Sequence, residues 1–441
     1  MKNTEPPAFR LTSDCIWNSF RSSGKKHLIL TGARKSGKTT LLSELLSRIG
    51  SPSLPCPIPG ITTWAEPGKA VYLKENTTGQ TACIGLYDES LPGTKIQHSP
   101  LHSPNRIEIG FTNGGGDGDP DNTAPPPAIG NKMRPCAEGF LTLGIPALGR
   151  CAESDSEFFS LDVIGYLESQ CNLESQYNSE SQYNNSDKPF TPNPRTCLKQ
   201  EESQCTEIYR EEIRKLMACK RLLAVVRKQS LPFLEELSHR DDVFLLDLDQ
   251  PFGRLGCVIM ASGVGRRFGG NKLMADFQGK PLLQYALEAT EGIFARRIVV
   301  TRHQEAAAFV RLRGVEALLH DLPHRNDTVR LGLQAVSEDV EGCLFCPGDQ
   351  PLLRQETVAS LALNAVNGKD EIWRPVWEDR EGAPVLFPKW SFPKLLTLPE
   401  GCGGSFLIKK YPGRIRRVPV RDKFELQDID SRQDLEFLQK G

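Results

Sequence analysis

The chain has 441 residues, which at roughly 150 residues per domain predicts two or three domains. Lys and Arg total 54 against 55 Asp and Glu, a net charge of −1. That balance argues against a wholesale nucleic-acid binder and leaves room for a local basic pocket. Hydrophobic residues at 39% are enough for real cores.

In chain order, the first predicted strand is His27–Leu30, apolar at Leu28, Ile29 and Leu30, and leucines at 41, 42, 45 and 46 give helical spacing across 39–49. Between them Gly32-Ala33-Arg34-Lys35-Ser36-Gly37-Lys38-Thr39 matches G-x-x-x-x-G-K-[ST] without deviation. Glycines in this pattern turn backbone N–H groups toward phosphate oxygens, and the helix start adds its positive dipole end. Lys38 is placed to reach the terminal phosphates and the Thr39 hydroxyl to meet Mg²⁺, with Gly32, Gly37 and Thr40 completing the nucleotide-binding set. The bland alternative is a glycine-rich turn with a solvated lysine.

Residues 111–135 are rich in Gly, Pro, Asn and Asp, and 168–204 are polar, with ESQ at 168, 174, 180 and 202. Both read as mobile insertions. A helix, a strand, a helix and a strand are expected over 206–248, and 249–256 is a credible boundary. Beyond it, strands at 256–262, 296–302 and 342–348 alternate with helices at 281–290, 304–312, 327–336 and 355–366. The expected fold class is α/β: two three-layer domains, 1–250 and 251–441. Thirteen scattered cysteines read as reduced thiols in a cytoplasmic protein. Cys343 and Cys346, three apart on a strand, should face opposite sides and be buried rather than bind metal. No apolar run approaches the roughly 20 residues of a membrane span, and the first residues lack a signal core.

The segment FFSLDVIGYLES ends an apolar run at Asp162. It resembles the small P-loop nucleoside-triphosphatase family, whose motif is D-E-I-G-x-x-E: Asp162, Ile164, Gly165 and Glu168 match, and Val163 replaces the expected Glu. The resemblance implies ATP or GTP at the P-loop with Mg²⁺ on Thr39 and Asp162, and the Val163 departure favours binding over hydrolysis. An ordinary strand-end carboxylate is the other reading of Asp162. Gly60–Thr63 and Gly85–Asp88 look like that family's next strands.

The string VIMASGVGRRFGGNK (258–272) is an apolar strand running into a basic glycine loop. It is similar to the opening motif L-A-[AG]-G-x-x-x-R-[MF]-G-x-x-K of the MobA-like nucleotidyltransferases that act on molybdenum cofactor. Ala261, Gly263, Arg267, Phe268, Gly269 and Lys272 match, and Ser262 stands where that family has Ala or Gly. Small residues at 261–263 let backbone approach the base and triphosphate, while Arg267 and Lys272 offer a fork and a point charge to phosphate. GCLFCPGDQPLL carries Asp349 at a second strand end, where the family's G-D-x-P aspartate holds Mg²⁺. LQDIDSRQDLEFL resembles the family's closing D-I-[DN]-T-x-x-D-L, where Asp430 either adds a metal ligand or caps the last helix. Asp327 or Thr328 should cap a helix, and either is placed to touch the base. Residues 381–388 resemble a loop near the acceptor. The family's G-D-x-G-A-R segment is altered to Glu400-Gly401-Cys402-Gly403-Gly404-Ser405.

By resemblance, the second half is a molybdenum cofactor cytidylyltransferase. It would use CTP, or GTP as the sister donor, and Mg²⁺ to pass a nucleotide to a molybdopterin-type cofactor, with a molybdoenzyme of the hydroxylase type as partner. Catalysis falls to Lys272, Arg267 and Asp349. A nucleotide-gated maturation factor or chaperone that binds the cofactor without transfer is the alternative, and a different phosphorylated acceptor a third reading. Neither nucleic acid nor membrane is expected as a partner.

Overall fold

The computed structural model describes residues 11–49, 58–89, 132–169 and 194–440. Within these, contacts divide the chain into a unit of residues 25–249 and a unit that joins 11–24 to 250–440. Helix α1 (Ser13–Ser23) therefore belongs with the second half of the chain. Thr12 caps it by accepting from the Cys15 amide, and Gly24 ends it in the left-handed region.

The first unit runs β1 (His27–Thr31), α2 (Lys38–Ile49), β2 (Gly60–Glu66), β3 (Ala70–Glu75), β4 (Thr81–Tyr87), β5 (Met133–Pro135), α3 (Ala137–Gly139), α4 (Ile145–Glu153), β6 (Phe158–Ile164), α5 (Tyr166–Ser169), α6 (Pro194–Cys219), β7 (Arg221–Val226), α7 (Pro232–Ser238) and β8 (Val243–Asp247). Its sheet has the order β5-β4-β3-β2-β6-β7-β1-β8. Strands β2, β6, β7, β1 and β8 are mutually parallel, and β3 to β5 continue as an antiparallel meander. The apolar runs HLILT and RLLAVV explain why β1 and β7 are central, because parallel strands are covered on both faces. Ile29, Leu161 and Ala224 meet Tyr209, Ile213 and Met217 of α6 in one core.

Helix α6 starts twelve residues before Thr206, so 194–204 is helix rather than insertion. Pro194 suits a first helical turn, and the Lys, Gln and Glu that follow are good helix formers without a breaker. Lys132 lies before β5 and 133–135 form that strand, while the expectations for 111–131 and 170–193 lie outside the described residues.

The second unit runs β9 (Leu255–Ala261), β10 (Asp276–Phe277), β11 (Lys280–Pro281), α8 (Leu282–Ala289), β12 (Arg296–Thr301), α9 (Gln304–Arg311), β13 (Glu316–Leu319), α10 (Arg325–Val336), β14 (Gly342–Pro347), α11 (Gln355–Asn367), β15 (Ile372–Trp377), β16 (Arg380–Glu381), β17 (Val385–Pro388), α12 (Phe392–Leu396), α13 (Ser405–Lys410), β18 (Ile415–Pro419) and α14 (Arg432–Lys440). The sheet order is β13-β12-β9-β14-β17-β15-β16, with β18 beside β15. From β9 the chain moves to β12 and β13 on one side, then returns to β14 on the other. The carboxyl end of β9 is thus a topological switch point, where open α/β sheets bind ligands.

Val258, Val300 and Phe345 pack with Val329 and Leu333 of α10 and Leu395 of α12 on one face. Helix α11 lies on the other, buried on most sides because α1 covers it, with Cys15 Sγ 3.5 Å from Ser360 Oγ. The unit is a three-layer α/β fold, and β17, antiparallel to β14, makes its sheet mixed. Cys343 and Cys346 are both buried, and burial pushes both thiols far up from their ordinary pKa.

Candidate active site

The loop after β9 is shaped by Gly265, whose φ is +63°. A Cβ there would stand 2.1 Å from the Gly270 carbonyl oxygen, so only glycine lets the loop close on itself. Its carbonyl accepts from the amides of Phe268 and Gly269, both at 3.0 Å. The loop ends in a tight turn that buries Lys272.

Lys272 Nζ lies 2.6 Å from Asp349 Oδ2 and 3.0 Å from Asp430 Oδ1. It also donates to the Ile429 carbonyl at 2.7 Å. Arg267 Nη2 is 3.0 Å from Asp430 Oδ2. The expected convergence of the glycine turn and the remote strand-end aspartate is therefore the observed geometry, with Asp430 as a third member. Burial works against the Lys272 charge, but the Asp349 and Asp430 carboxylates outweigh it and hold the ammonium above its ordinary range.

Asp430 is free for this because another residue serves the last helix. Asp434 accepts from the Ser431 amide at 2.7 Å, and the Ser431 hydroxyl accepts from the Asp434 amide at 3.2 Å. That reciprocal pair caps α14. The two carboxylate loops are tied by Ile429 N donating to Asp349 O at 3.0 Å and by Gln350 Nε2 donating to Asp428 Oδ1 at 2.7 Å. Arg432 of α14 lies over the Phe268 ring at 5.6 Å, which pins the glycine loop.

Ala261 is buried at the tip of β9, and its carbonyl accepts from Thr301 Oγ1 at 2.8 Å. Ser262 Oγ donates to Val300 O at 3.1 Å and lies 2.7 Å from His320 Nε2. The Gly263 carbonyl is 2.8 Å from His303 Nε2. Asp327 is engaged as a cap: it accepts from the His324 amide at 3.1 Å and from Arg330 Nη2 at 3.0 Å. Glu400 of the altered segment meets His324 Nε2 at 2.5 Å.

In the first unit, Lys38 Nζ donates to the carbonyls of Gly32 at 3.1 Å and Ala33 at 2.5 Å and to Ser36 Oγ at 3.2 Å. Thr39 Oγ1 donates to Asp162 Oδ1 at 3.1 Å, so the hydroxyl and the strand-end carboxylate do meet. Gly37 has φ +83°, and Thr40 is exposed at the start of α2. Glu168 is wholly turned inward and accepts from the Gly165 amide at 2.8 Å, and burial raises its pKa. Val163 exchanges two hydrogen bonds with Thr63 Oγ1, at 2.9 and 2.8 Å.

Sequence reasoning missed Asp249, which accepts from the Ala33 amide through both oxygens at 2.9 Å, and Lys228, 2.6 Å from Asp247 and 3.1 Å from Asp249. It also missed His303, His320, Asp428 and Asp434. Asp428 and Asp434 do lie in the closing D-I-[DN]-T-x-x-D-L motif, which could have singled them out, whereas the two histidines, Asp249 and Lys228 lie in no local pattern that separates them from other polar residues.

Residues 257–415 match the model of the MobA-like NTP transferase domain. A probable molybdenum cofactor guanylyltransferase of Bacillus licheniformis is 33% identical over 118 residues, covering 26% of this chain and 58% of its own. A 3-deoxy-manno-octulosonate cytidylyltransferase of Colwellia psychrerythraea is 32% identical over 102 residues, 22% of this chain and 36% of its own. The match thus spans about half the length of these relatives. The crystal structure of Rv0371c from Mycobacterium tuberculosis is 21% identical, with a TM-score of 0.38 over 43% of this chain and 99% of its own.

Mg²⁺ suits the oxygen set offered by Asp349 and Asp430: hard carboxylates, already converging on a cation. Among the described residues no cluster of three or more His, Cys, Asp and Glu forms a closed metal cage. A two-carboxylate site leaves coordination positions to phosphate oxygens and water, which is how Mg²⁺ is usually held at nucleotide sites.

Proposed function

We propose that the second unit is a nucleotidyltransferase. It would take a nucleoside monophosphate from CTP or GTP to a phosphorylated acceptor of the molybdopterin type, with Asp349 and Asp430 as the Mg²⁺ ligands. The Lys272–Asp349–Asp430 constellation at the switch point carries this reading. The two curated relatives, named as a guanylyl- and a cytidylyltransferase, support the donor choice, and the molybdenum cofactor enzyme supports the acceptor.

In the reaction, an acceptor phosphate oxygen bonds to the α-phosphorus while the bond from that phosphorus to the bridging oxygen breaks, releasing pyrophosphate. When bound, Mg²⁺ supplies Lewis-acid stabilisation of phosphate charge. Lys272 and Arg267 neutralise charge on the triphosphate oxygens, and backbone at 261–263 orients the nucleoside. Holding the two reactants in line supplies much of the rate without a covalent intermediate.

The first unit is proposed as an ATP- or GTP-binding P-loop site, with Lys38 on phosphate and Thr39 and Asp162 toward Mg²⁺. Val163 and the inward Glu168 leave Asp162 without a second carboxylate partner from its own motif, which supports binding with slow hydrolysis.

A pyrophosphate-release screen of four NTPs against molybdopterin-type and sugar-phosphate acceptors tests the transferase. Release should need acceptor, be fastest with CTP or GTP, and fall at least about 100-fold in Asp349→Asn. Undiminished turnover in that variant would remove Asp349 from the mechanism. Tight cofactor binding with no release from any NTP would favour the carrier alternative.

A further inference from the structure

Lys272 sits in the middle of a cage of three oxygens: 2.6 Å from Asp349 Oδ2, 3.0 Å from Asp430 Oδ1 and 2.7 Å from the Ile429 carbonyl. These carboxylates are the ones that would hold the divalent cation. An ammonium that shares both of them stands where that ion's charge has to go. Arg267 adds a second cation on the outer oxygen of Asp430. At the Asp349–Asp430 pair two carboxylates face two cations, which offsets the pair's attraction for a free metal ion, while Asp428 stands beside them as a third acid bonded to Gln350.

The cage does not depend on the lysine for its shape. Ile429 N to Asp349 O joins the two loops through backbone, and Gln350 to Asp428 joins them through side chains. The Ser431–Asp434 cap fixes the residue after Asp430. On the other side, the Ala275 amide donates to the Lys272 carbonyl, holding the lysine backbone in its turn. The ammonium can therefore swing on its stem while both carboxylates and the main chain stay in place. A triphosphate would give it anionic oxygens in exchange for the aspartates.

We propose that Lys272 makes metal binding at the transferase site conditional on nucleotide: without nucleotide its ammonium occupies the Asp349–Asp430 pair, and it yields the pair to a divalent cation only when a triphosphate takes up that ammonium. This rests on the nucleotidyltransferase reading and specifies that the bound substrate is the metal–triphosphate complex, with metal and nucleotide raising each other's affinity.

The test is Mn²⁺ binding, followed by the free-ion electron paramagnetic resonance signal. The full chain carries Lys38→Ala and Thr39→Ala so that the first unit does not contribute. Titrations run with Mn²⁺ alone and with Mn²⁺ plus the α,β-methylene analogue of CTP or GTP. The parent should show little binding of Mn²⁺ alone and one site with analogue. Lys272→Met should bind Mn²⁺ alone at least about ten-fold more tightly than the parent, and added Asp349→Asn should abolish that gain. Lys272→Arg keeps the charge and should keep the exclusion. Lys272→Gln repeats the measurement if the Met variant does not fold. Equal affinity for free Mn²⁺ in the parent and the neutral variants overturns the proposal, as does a neutral variant that folds and still binds none. Pyrophosphate release is read separately: its absence with every NTP and acceptor would remove the transferase reading, while the Mn²⁺ isotherms decide the lysine's role.

Discussion

His27 begins β1 with its ring wholly buried. Its Nδ1 accepts from the Leu222 amide at 3.0 Å, and Nε2 lies 3.3 Å from Asp242 Oδ2. Burial outweighs the nearby carboxylate and lowers its pKa from 6.5 to about 4. Between those values the unfolded chain binds a proton that the folded chain refuses. Stability from this residue is complete above about 6.5 and is lost as pH falls toward about 4, by on the order of 2–3 kcal/mol. Urea unfolding of the wild type and of His27→Asn, whose Oδ1 can replace Nδ1 as acceptor, measures this. The difference between their stabilities should shrink with falling pH, and a constant difference across pH 7 to 4 would exclude His27 as the source. Asp430 shows the same local logic without a proton: its carboxylate is available to Lys272 because Ser431 and Asp434 satisfy the helix start.

Helix α10 shows what a single missing side chain does for an element. Gly332 faces the sheet, and a Cβ there would stand 2.4 Å from Val258 Cγ1 and 3.0 Å from Val300 Cγ2. Glycine costs a helix interior about 1 kcal/mol relative to alanine, so close packing is what it supplies here. Gly332→Ala should gain that propensity yet lose more to overpacking, a net destabilisation of about 1–2 kcal/mol. Gly149 in α4 is the contrast, because beyond its chain neighbours and its own helix backbone no atom lies within 4 Å of its would-be Cβ. Gly149→Ala should stabilise by about 0.5–1 kcal/mol. Thermal melts of the two variants should shift in opposite directions, and a shift of the same sign would contradict the packing account.

For the molecule as a whole, each unit carries its own glycine-rich loop, lysine and strand-end aspartate. Lys38 with Thr39 and Asp162 serves the first unit, and Lys272 with Asp349 serves the second. Calorimetric titrations with Mg²⁺ and the non-hydrolysable analogues of GTP and of CTP, run in turn and then one after the other, should therefore give two nucleotides bound per chain in total. Lys38→Ala and Lys272→Ala should each leave one, and the double variant none. A single site in the wild type would leave one of the two loops without nucleotide.

Local chemistry made much of this legible in the amino-acid order. A phosphate loop needs its glycines, lysine and hydroxyl within eight residues, between a strand and a helix, and 32–39 show all of that without tertiary information. The strands at β9, β12 and β14 are short apolar runs bounded by turn residues, and they stand where that pattern put them. Pairings across long stretches of chain were not legible. Lys272 and Asp430 are 158 residues apart, and their contact depends on strand order, register and the packing of α14. Periodicity could not decide whether Asp430 caps the last helix, a role that Ser431 and Asp434 take, nor assign α1 to the second unit, nor bring His320 to Ser262. Propensity acts over a few neighbouring residues, whereas these choices follow from which buried faces meet, and only the assembled sheets and helices decide that.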